Sequence, residues 1–314
     1  MVLDLVWATW RFWWLHGHAE ELGRHVDQIL ARSDGLPPQQ RALALSGAGF
    51  VRVVGGDQAQ TQAQALRLLK RSLPLYMQAG DRLGLGLTAA HLGHLLASSE
   101  RESAYAGELL EQTLAQLREM AGERLTEREH VQYLTDVALA TNFLGQIRLD
   151  QHDHHRAAEL FTDGLAAAHS AADRFTVLIS LYDLALSRQA AGDLDDAADL
   201  LKQGLTLAAE AGDEPGLGYY LEALAVAAQQ DHPERAAGLL AAAAALLQAN
   251  GSGWLHAYVS RSPHDDATLA ALRARTTDAV FRRAWAHGRS LDSADAIRYA
   301  LEEPDQALPA PAAS

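Results

Sequence analysis

The chain has 314 residues, 48% of them apolar and only 6% aromatic, and its formal charge at pH 7 is −14. Its abundance of Ala and Leu favours helices over sheets, and its acidity argues against direct nucleic-acid binding, which depends on clustered Lys and Arg. Because cysteine is absent, disulfides and thiolate nucleophiles are excluded. No apolar run is long enough to span a membrane and no signal peptide is evident, so we expect a cytoplasmic location.

Apolar periodicity and turn signals predict six helix pairs in chain order. Their predicted bounds are Leu3 to His16 with Ala19 to Ser33, Gln39 to Val54 with Gln58 to Gln78, Arg82 to Ala97 with Glu102 to Ala121, Glu127 to Leu149 with His154 to Ala172, Phe175 to Ala190 with Leu194 to Ala211, and Gly216 to Gln230 with Pro233 to Asn250. The pattern of Leu3, Trp7, Trp10 and Trp14 places these residues on one face of the first helix. Pro74 is expected to kink or shorten the second helix of its pair.

The pairs share a repeated pattern of small residues and tight turns. Turns of the Gly-Asp type follow the first helices at Gly56, His152, Gly192 and Gln230, and the second helices then carry Ala at positions 157, 197 and 236. A small residue lies near the middle of each first helix, at Gly49, Gly93, Gly145, Ala185 and Ala223. Such a period is typical of a helical solenoid, in which each unit buries its apolar face against its neighbours. We therefore predict an all-α, right-handed α-solenoid.

The period stops after the sixth pair. Gly251 is expected to end the repeats, and Ser252 to Asp265 is predicted to be a loop. One helix is predicted from Asp266 to His287, capped by Gly288, and another from Ser293 to Leu301 with Ser293 as its N-cap. The predicted organisation is a repeat domain over residues 1–251, a helical cap packed on it over 252–303, and a disordered tail over 304–314.

Three segments carry a family resemblance: Trp13 to His18, Pro233 to Leu240, and Phe281 to Arg289, the last completed by Ala294 to Leu301. With the repeats, they resemble the tetratricopeptide-repeat (TPR) sensor arm of STAND-class bacterial transcription regulators of the LuxR and SARP types, especially those of actinomycetes. The phosphate loop and helix-turn-helix of that class are missing from this sequence. The chain is therefore either an excised arm or a stand-alone protein.

The resemblance implies which residues line a concave groove. In such repeats the residues three before and one after the small position point inward. Applied to this sequence, that lining is Trp7, Arg11, Ser46, Phe50, Ala90, His94, Asn142, Gln146, Tyr182, Leu186, Tyr220 and Leu224. A lining of this kind suits a peptide, a helix or an apolar ligand. The alternative is that these residues simply pack between repeats. Arg52, Arg148 and Arg188 follow the small positions by three residues, where they can pair with an acidic partner or complement the helix dipole.

No residue pattern indicates catalysis. The segment from His152 to His155 lies at a predicted turn, and His91 and His94 lie on a predicted groove face, so we expect neither metal nor cofactor. We predict a non-catalytic recognition scaffold, most simply a signal-sensing arm that binds a protein, a peptide or a small inducer; a homodimer is compatible with the sequence. The alternatives are a stand-alone adaptor that assembles proteins, and a ligand-binding or enzymatic helical toroid.

Overall fold

The computed structural model describes residues 19–54, 59–99, 101–250, 258–259 and 266–302. Within these ranges the chain forms 14 α-helices and no strand. The helices are α1 (Ala19–Leu30), α2 (Pro38–Val54), α3 (Ala59–Ala79), α4 (Arg82–Ala97), α5 (Ser103–Glu119), α6 (Glu127–Asp150), α7 (His154–Ser170), α8 (Arg174–Ala191), α9 (Leu194–Ala211), α10 (Glu214–Ala228), α11 (Pro233–Asn250), α12 (Asp266–Arg275), α13 (Asp278–Ser290) and α14 (Ser293–Leu301). The predicted all-α fold of consecutive helix pairs is confirmed. Among these helices none is long and apolar enough to cross a membrane.

Three local predictions are wrong. The single helix expected from Asp266 to His287 is two helices, because the Thr277 hydroxyl caps α13 by accepting the backbone N–H of Val280. Gly288 lies inside α13 and does not cap it. The N-cap of α14 is Asp292, whose carboxylate accepts the N–H of Asp295 at 2.8 Å. Pro74 lies inside α3, which continues past it to Ala79 and is therefore not shortened.

The segment containing Trp7 and Arg11, the turn at Gly56, Gly251 and the tail over 304–314 lie outside the described residues. Nearly all of the predicted loop from Ser252 to Asp265 also lies outside them. The predicted boundary between the repeats and the cap, at residues 251 and 252, is therefore not described.

Five junctions between helices share one turn, in which a residue with a left-handed backbone precedes an Asp. The left-handed residues have φ between 52° and 89°, and they are Gly80, His152, Ala172, Gly192 and Gly212. The N–H of each following Asp donates to the carbonyl five residues earlier at 2.9–3.0 Å, which closes a Schellman-type helix end. Except at Asp193, the Asp side chain then accepts the N–H three residues later and caps the next helix. One short turn thus ends one helix and begins the next.

The small residues of the first helices mark close helix crossings in the first half of the chain. A Cβ built on Gly145 of α6 would lie 2.6 Å from Cε1 of Phe161 in α7. A Cβ on Gly49 would lie 2.7 Å from Leu69, and one on Gly93 would lie 2.7 Å from Leu110. Each glycine therefore makes room for a large, buried side chain of the second helix in its own pair.

The chain divides into two compact units, and the division falls within α8 between Asp183 and Leu184. In the first unit, α2 packs on α3, α4 on α5 and α6 on α7, and α4 also contacts α2 and α6. First helices therefore contact the first helices of neighbouring pairs, as in a solenoid. In the second unit, α10 packs on α9 and α11, and α11 is covered by the C-terminal helices α12, α13 and α14.

The C-terminal helices are attached to α11 by specific contacts. The Arg235 guanidinium donates to the carbonyls of Ala300 at 3.2 Å and Glu302 at 2.6 Å, and it lies 5.0 Å from the centre of the Tyr299 ring. A Cβ on Gly288 would lie 2.0 Å from the carbonyl oxygen of Gly238, so α13 and α11 cross at their glycines. The segments from Pro233 to Leu240 and from Phe281 to Arg289 thus pack against each other.

Candidate partner-binding surface

The structure places most of the predicted groove lining in the interior. Trp7 and Arg11 lie outside the described residues. The partly exposed members are His94, Gln146 and Leu186. The buried members, with 4% exposure or less, are Ser46, Phe50, Ala90, Asn142, Tyr182, Tyr220 and Leu224. The first helices are surrounded by neighbouring helices near their centres. In α8, for example, residues 175–185 are all buried.

Tyr182 and Tyr220 fit the alternative, in which residues of the predicted lining pack between helices. Both side chains are 0% exposed. The Tyr220 ring lies against Gly204 of α9, where a Cβ would come within 2.1 Å of Cε1. Tyr220 thus belongs to the packed core of the second unit, and Gly204 is required by its ring.

Four aromatic and imidazole rings join three successive first helices of the first unit. The His91 ring of α4 meets the Phe50 ring of α2 edge-on, with 4.1 Å between their centres. The His94 ring stacks on the Phe143 ring of α6 at 4.3 Å. The predicted residues Phe50 and His94 are thereby brought into one cluster, which Phe143 completes. Sequence patterns did not indicate Phe143, because it is one apolar residue among many in α6.

Polar side chains continue this cluster from α6 to α8. The Gln146 side-chain amide donates to the Asp183 carboxylate at 2.7 Å, and the Asn142 amide donates to the Ser180 hydroxyl at 2.7 Å. Asn142, Ser180 and Asp183 are fully buried, whereas Gln146 is partly exposed. We call Phe50, His91, His94, Phe143, Gln146 and Asp183 the inner strip. The only sequence signal for a role of Asp183 and Ser180 at this site is that they are polar residues within an apolar helix.

A second buried polar group lies earlier in α6. Asp136 of α6 is fully buried, and its Oδ1 accepts a hydrogen bond from the Gln132 amide at 2.5 Å. Its Oδ2 has no hydrogen-bond partner among the described residues. Burial raises the pKa of Asp136 well above its usual value, an effect that the Gln132 hydrogen bond opposes and Asp81 reinforces. Burial also raises the pKa of Tyr76, whose hydroxyl lies 2.9 Å from that of Ser46.

The three repeated arginines pair with acids of this chain. Arg52 reaches Asp27 of α1 at 2.7 Å, Arg148 reaches Glu111 of α5 at 2.6 Å, and Arg188 lies 3.5 Å from Asp193. The first two pairs join neighbouring repeats. His152 lies at the turn before α7, whereas His154 and His155 are the first residues of that helix. His155 is largely exposed and lies 3.5 Å from Glu159. Across the described ranges, no group of three or more His, Asp or Glu residues is arranged to hold a metal ion.

Comparisons with known proteins give only a distant likeness. No family model matches the chain, and no curated protein matches it. It is similar to a crystal structure of nearly identical TPR-like repeats from a putative kinesin light chain of Podosopora anserina, with 19% identity over 78% of this chain and 99% of that one, at a TM-score of 0.44. A single-residue variant of those repeats gives 16% identity over 67% and 94% of the two chains, at a TM-score of 0.43. Similarity at this level carries no argument about what the chain does.

Proposed function

We propose that the chain is a non-catalytic recognition scaffold whose inner strip binds a protein or peptide partner. The observation that carries this proposal is the continuity of the strip, in which rings from α2, α4 and α6 lead into the Gln146–Asp183 hydrogen bond. Phe50, His91 and Phe143 are buried and hold the strip together, so a partner would contact the partly exposed groups. The His94 ring can cover an apolar side chain of a peptide, and the Gln146 amide can pair with its backbone.

Burying the polar groups of the strip costs free energy, which suggests that these groups do more than fill space between helices. Burying an amide or a carboxylate removes it from water, and its protein hydrogen bonds only partly offset that cost. Apolar side chains of similar size at Asp183, and at Asn142 beside the strip, would avoid this desolvation. The groups that reach the surface, His94 and Gln146, are the ones that a partner would contact first.

On the resemblance of its terminal motifs, we further propose that the chain is the signal-sensing arm of a STAND-class transcription regulator. In that role a partner or a small inducer shifts the arm between conformations of different affinity for a neighbouring ATPase module. The partner would be a protein and not nucleic acid, in keeping with the charge of −14.

Site-specific photo-crosslinking tests the binding face. The crosslinking residue p-benzoylphenylalanine replaces His94 or Gln146 in cells that naturally express the chain, and the exposed Gln112 on α5 serves as the control position. A discrete crosslinked protein from His94 and Gln146 but not from Gln112 is expected. If that protein carries an ATPase module, the sensor-arm role is supported, whereas another protein would favour an adaptor. Identical products from all three positions, or none from the inner two, would contradict the proposal.

A further inference from the structure

A separate surface of the first unit forms a cleft between α5, α6 and α7. The cleft has a volume of about 280 Å³. Its floor consists of Leu114, Leu144 and Leu160, one from each helix, each no more than 3% exposed. The floor is therefore apolar, and side chains from both adjoining repeats build it.

The rim of this cleft carries three guanidinium groups, those of Arg118, Arg148 and Arg156, together with the carboxylate of Glu111. We call these groups and the leucine floor the arginine cleft. Glu159 lies 2.6 Å from Arg156, so three positive charges face two negative ones, in contrast with the net charge of −14 of the whole chain. The cleft is therefore a local electropositive site on an acidic protein.

Two of the three arginines already bind carboxylates of this chain. Arg148 donates to Glu111 at 2.6 Å and to the side chain of Gln151 at 2.8 Å, and Arg156 donates to Glu159 at 2.6 Å. The Arg118 guanidinium has no hydrogen bond or ion pair with any residue that the structure describes, and its side chain is exposed. Each guanidinium has five N–H donors, so Arg148 and Arg156 also retain donors for a further acceptor.

We propose that the arginine cleft binds an acidic peptide segment of a protein partner. One Asp or Glu carboxylate of that segment pairs with Arg118, and a neighbouring apolar side chain enters the cleft toward the leucine floor, whose side chains are nearly buried in the free protein. A free phosphate would pair with the rim alone, and the cleft is smaller than most sites for nucleotide-sized ligands. An acidic residue beside an apolar one satisfies both the rim and the floor. The assignment is independent of the inner strip.

Fluorescence anisotropy tests the assignment with a labelled peptide, Gly-Leu-Glu-Glu-Leu-Gly, and the full chain at an ionic strength of about 0.1 M, where the Debye length is about 10 Å. Arg118→Gln is expected to weaken binding about three- to fivefold, the upper range for an ion pair at an exposed site. Its matched control is Arg128→Gln on α6, an exposed arginine outside the cleft that changes the net charge equally. That control is expected to change the affinity by less than about twofold, because screening weakens distant charges.

A second pair of variants predicts a change of opposite sign. Glu111→Gln removes the chain's own competitor for Arg148, so it is expected to tighten peptide binding several-fold. Glu108→Gln, an exposed change on the same helix but outside the cleft, is expected to leave binding unchanged. Unchanged circular dichroism and melting temperature confirm that each variant is folded.

Several results would overturn the assignment. They are equal losses in the Arg118 and Arg128 variants, equal affinity for the Gln-containing form of the peptide, and no binding of the Glu peptide at millimolar concentration. Displacement by inorganic phosphate without any preference for the Glu peptide would show a phosphate site instead. Crosslinks from His94 and Gln146 do not involve this cleft, so failure of one proposal leaves the other intact.

Discussion

Adding one methyl group to Gly145 tests whether the small residues of the first helices set the distance between the helices of a pair. The Cβ of Gly145→Ala would lie 2.6 Å from Cε1, 2.9 Å from Cδ1 and 3.0 Å from Cζ of Phe161. Ordinary contacts of this kind are about 3.4–4 Å, so the overlap is roughly 1 Å. Phe161 is 0% exposed, so its ring cannot move out into solvent.

Two opposing terms set the size of the effect. Overpacking a buried site costs about 1–3 kcal/mol, whereas replacing Gly by Ala inside a helix stabilises by roughly 0.5–1 kcal/mol. Gly145→Ala is therefore expected to lower the free energy of unfolding by about 1–2 kcal/mol. Gly107, inside α5, provides the matched control, because a Cβ there meets nothing within 4 Å. Gly107→Ala retains only the helix term and should stabilise the protein.

Urea titration followed by circular dichroism at 222 nm measures both variants through their unfolding midpoints. Adding Phe161→Leu provides a further check, because leucine lacks the ring atoms Cε1 and Cζ that overlap the new methyl group. The cost of Gly145→Ala should be smaller in that background, which appears as non-additivity. If Gly145→Ala raised the midpoint as much as Gly107→Ala, the close-crossing argument would be refuted.

Three further predictions concern the turns, the buried acid and the buried tyrosine. Ala172 has a left-handed backbone with φ 52°, which strains a residue with a Cβ, so Ala172→Gly should raise the free energy of unfolding by roughly 0.5–1 kcal/mol. Gly192 has φ 89°, so Gly192→Ala should lower it by about 1 kcal/mol. The midpoints of urea unfolding measure both changes. Because burial raises the folded-state pKa of Asp136, its contribution to stability is fully present below about pH 4 and is lost as pH rises toward that pKa. Asp136→Asn should therefore gain stability relative to the unmodified chain with rising pH, and parallel pH profiles would contradict this. Tyr220→Ala should lower the free energy of unfolding by about 3–5 kcal/mol, as measured by thermal or urea unfolding. A change near zero would show that the Tyr220 ring is exposed and not part of the core.

The sequence predicted the helices well, because their ends are encoded locally. The predicted bounds of α4, α9, α11 and α14 match the observed ones, and most others differ by one or two residues. The exception is the break between α12 and α13 at Thr277, where neither Gly nor Pro is present. A Thr can cap a helix or continue it, and the neighbouring apolar periodicity does not distinguish the two outcomes.

The candidate site was predicted less well, for a physical reason. Periodicity identifies a buried face only when the opposite face is polar. The inner helices are apolar around most of their circumference, so sequence spacing alone could not decide whether Tyr182 and Tyr220 face solvent or neighbouring helices. The arginine cleft was missed for a related reason. Its arginines lie far apart in sequence, at residues 118, 148 and 156, and only the packing of three helices brings them together.

The junction turns explain how the repeats keep their length while other positions vary. The last four left-handed residues, from His152 to Gly212, follow one another at intervals of 20 residues. Two of these positions hold Ala or His despite the strain that a Cβ adds in this conformation. The chain can tolerate that strain because both of these turns are closed by two hydrogen-bonding features. The Asp N–H donates to the preceding helix, and the Asp carboxylate accepts from the next helix. The Asp is therefore the more informative residue of the turn, and its spacing identifies the repeats where glycine is missing.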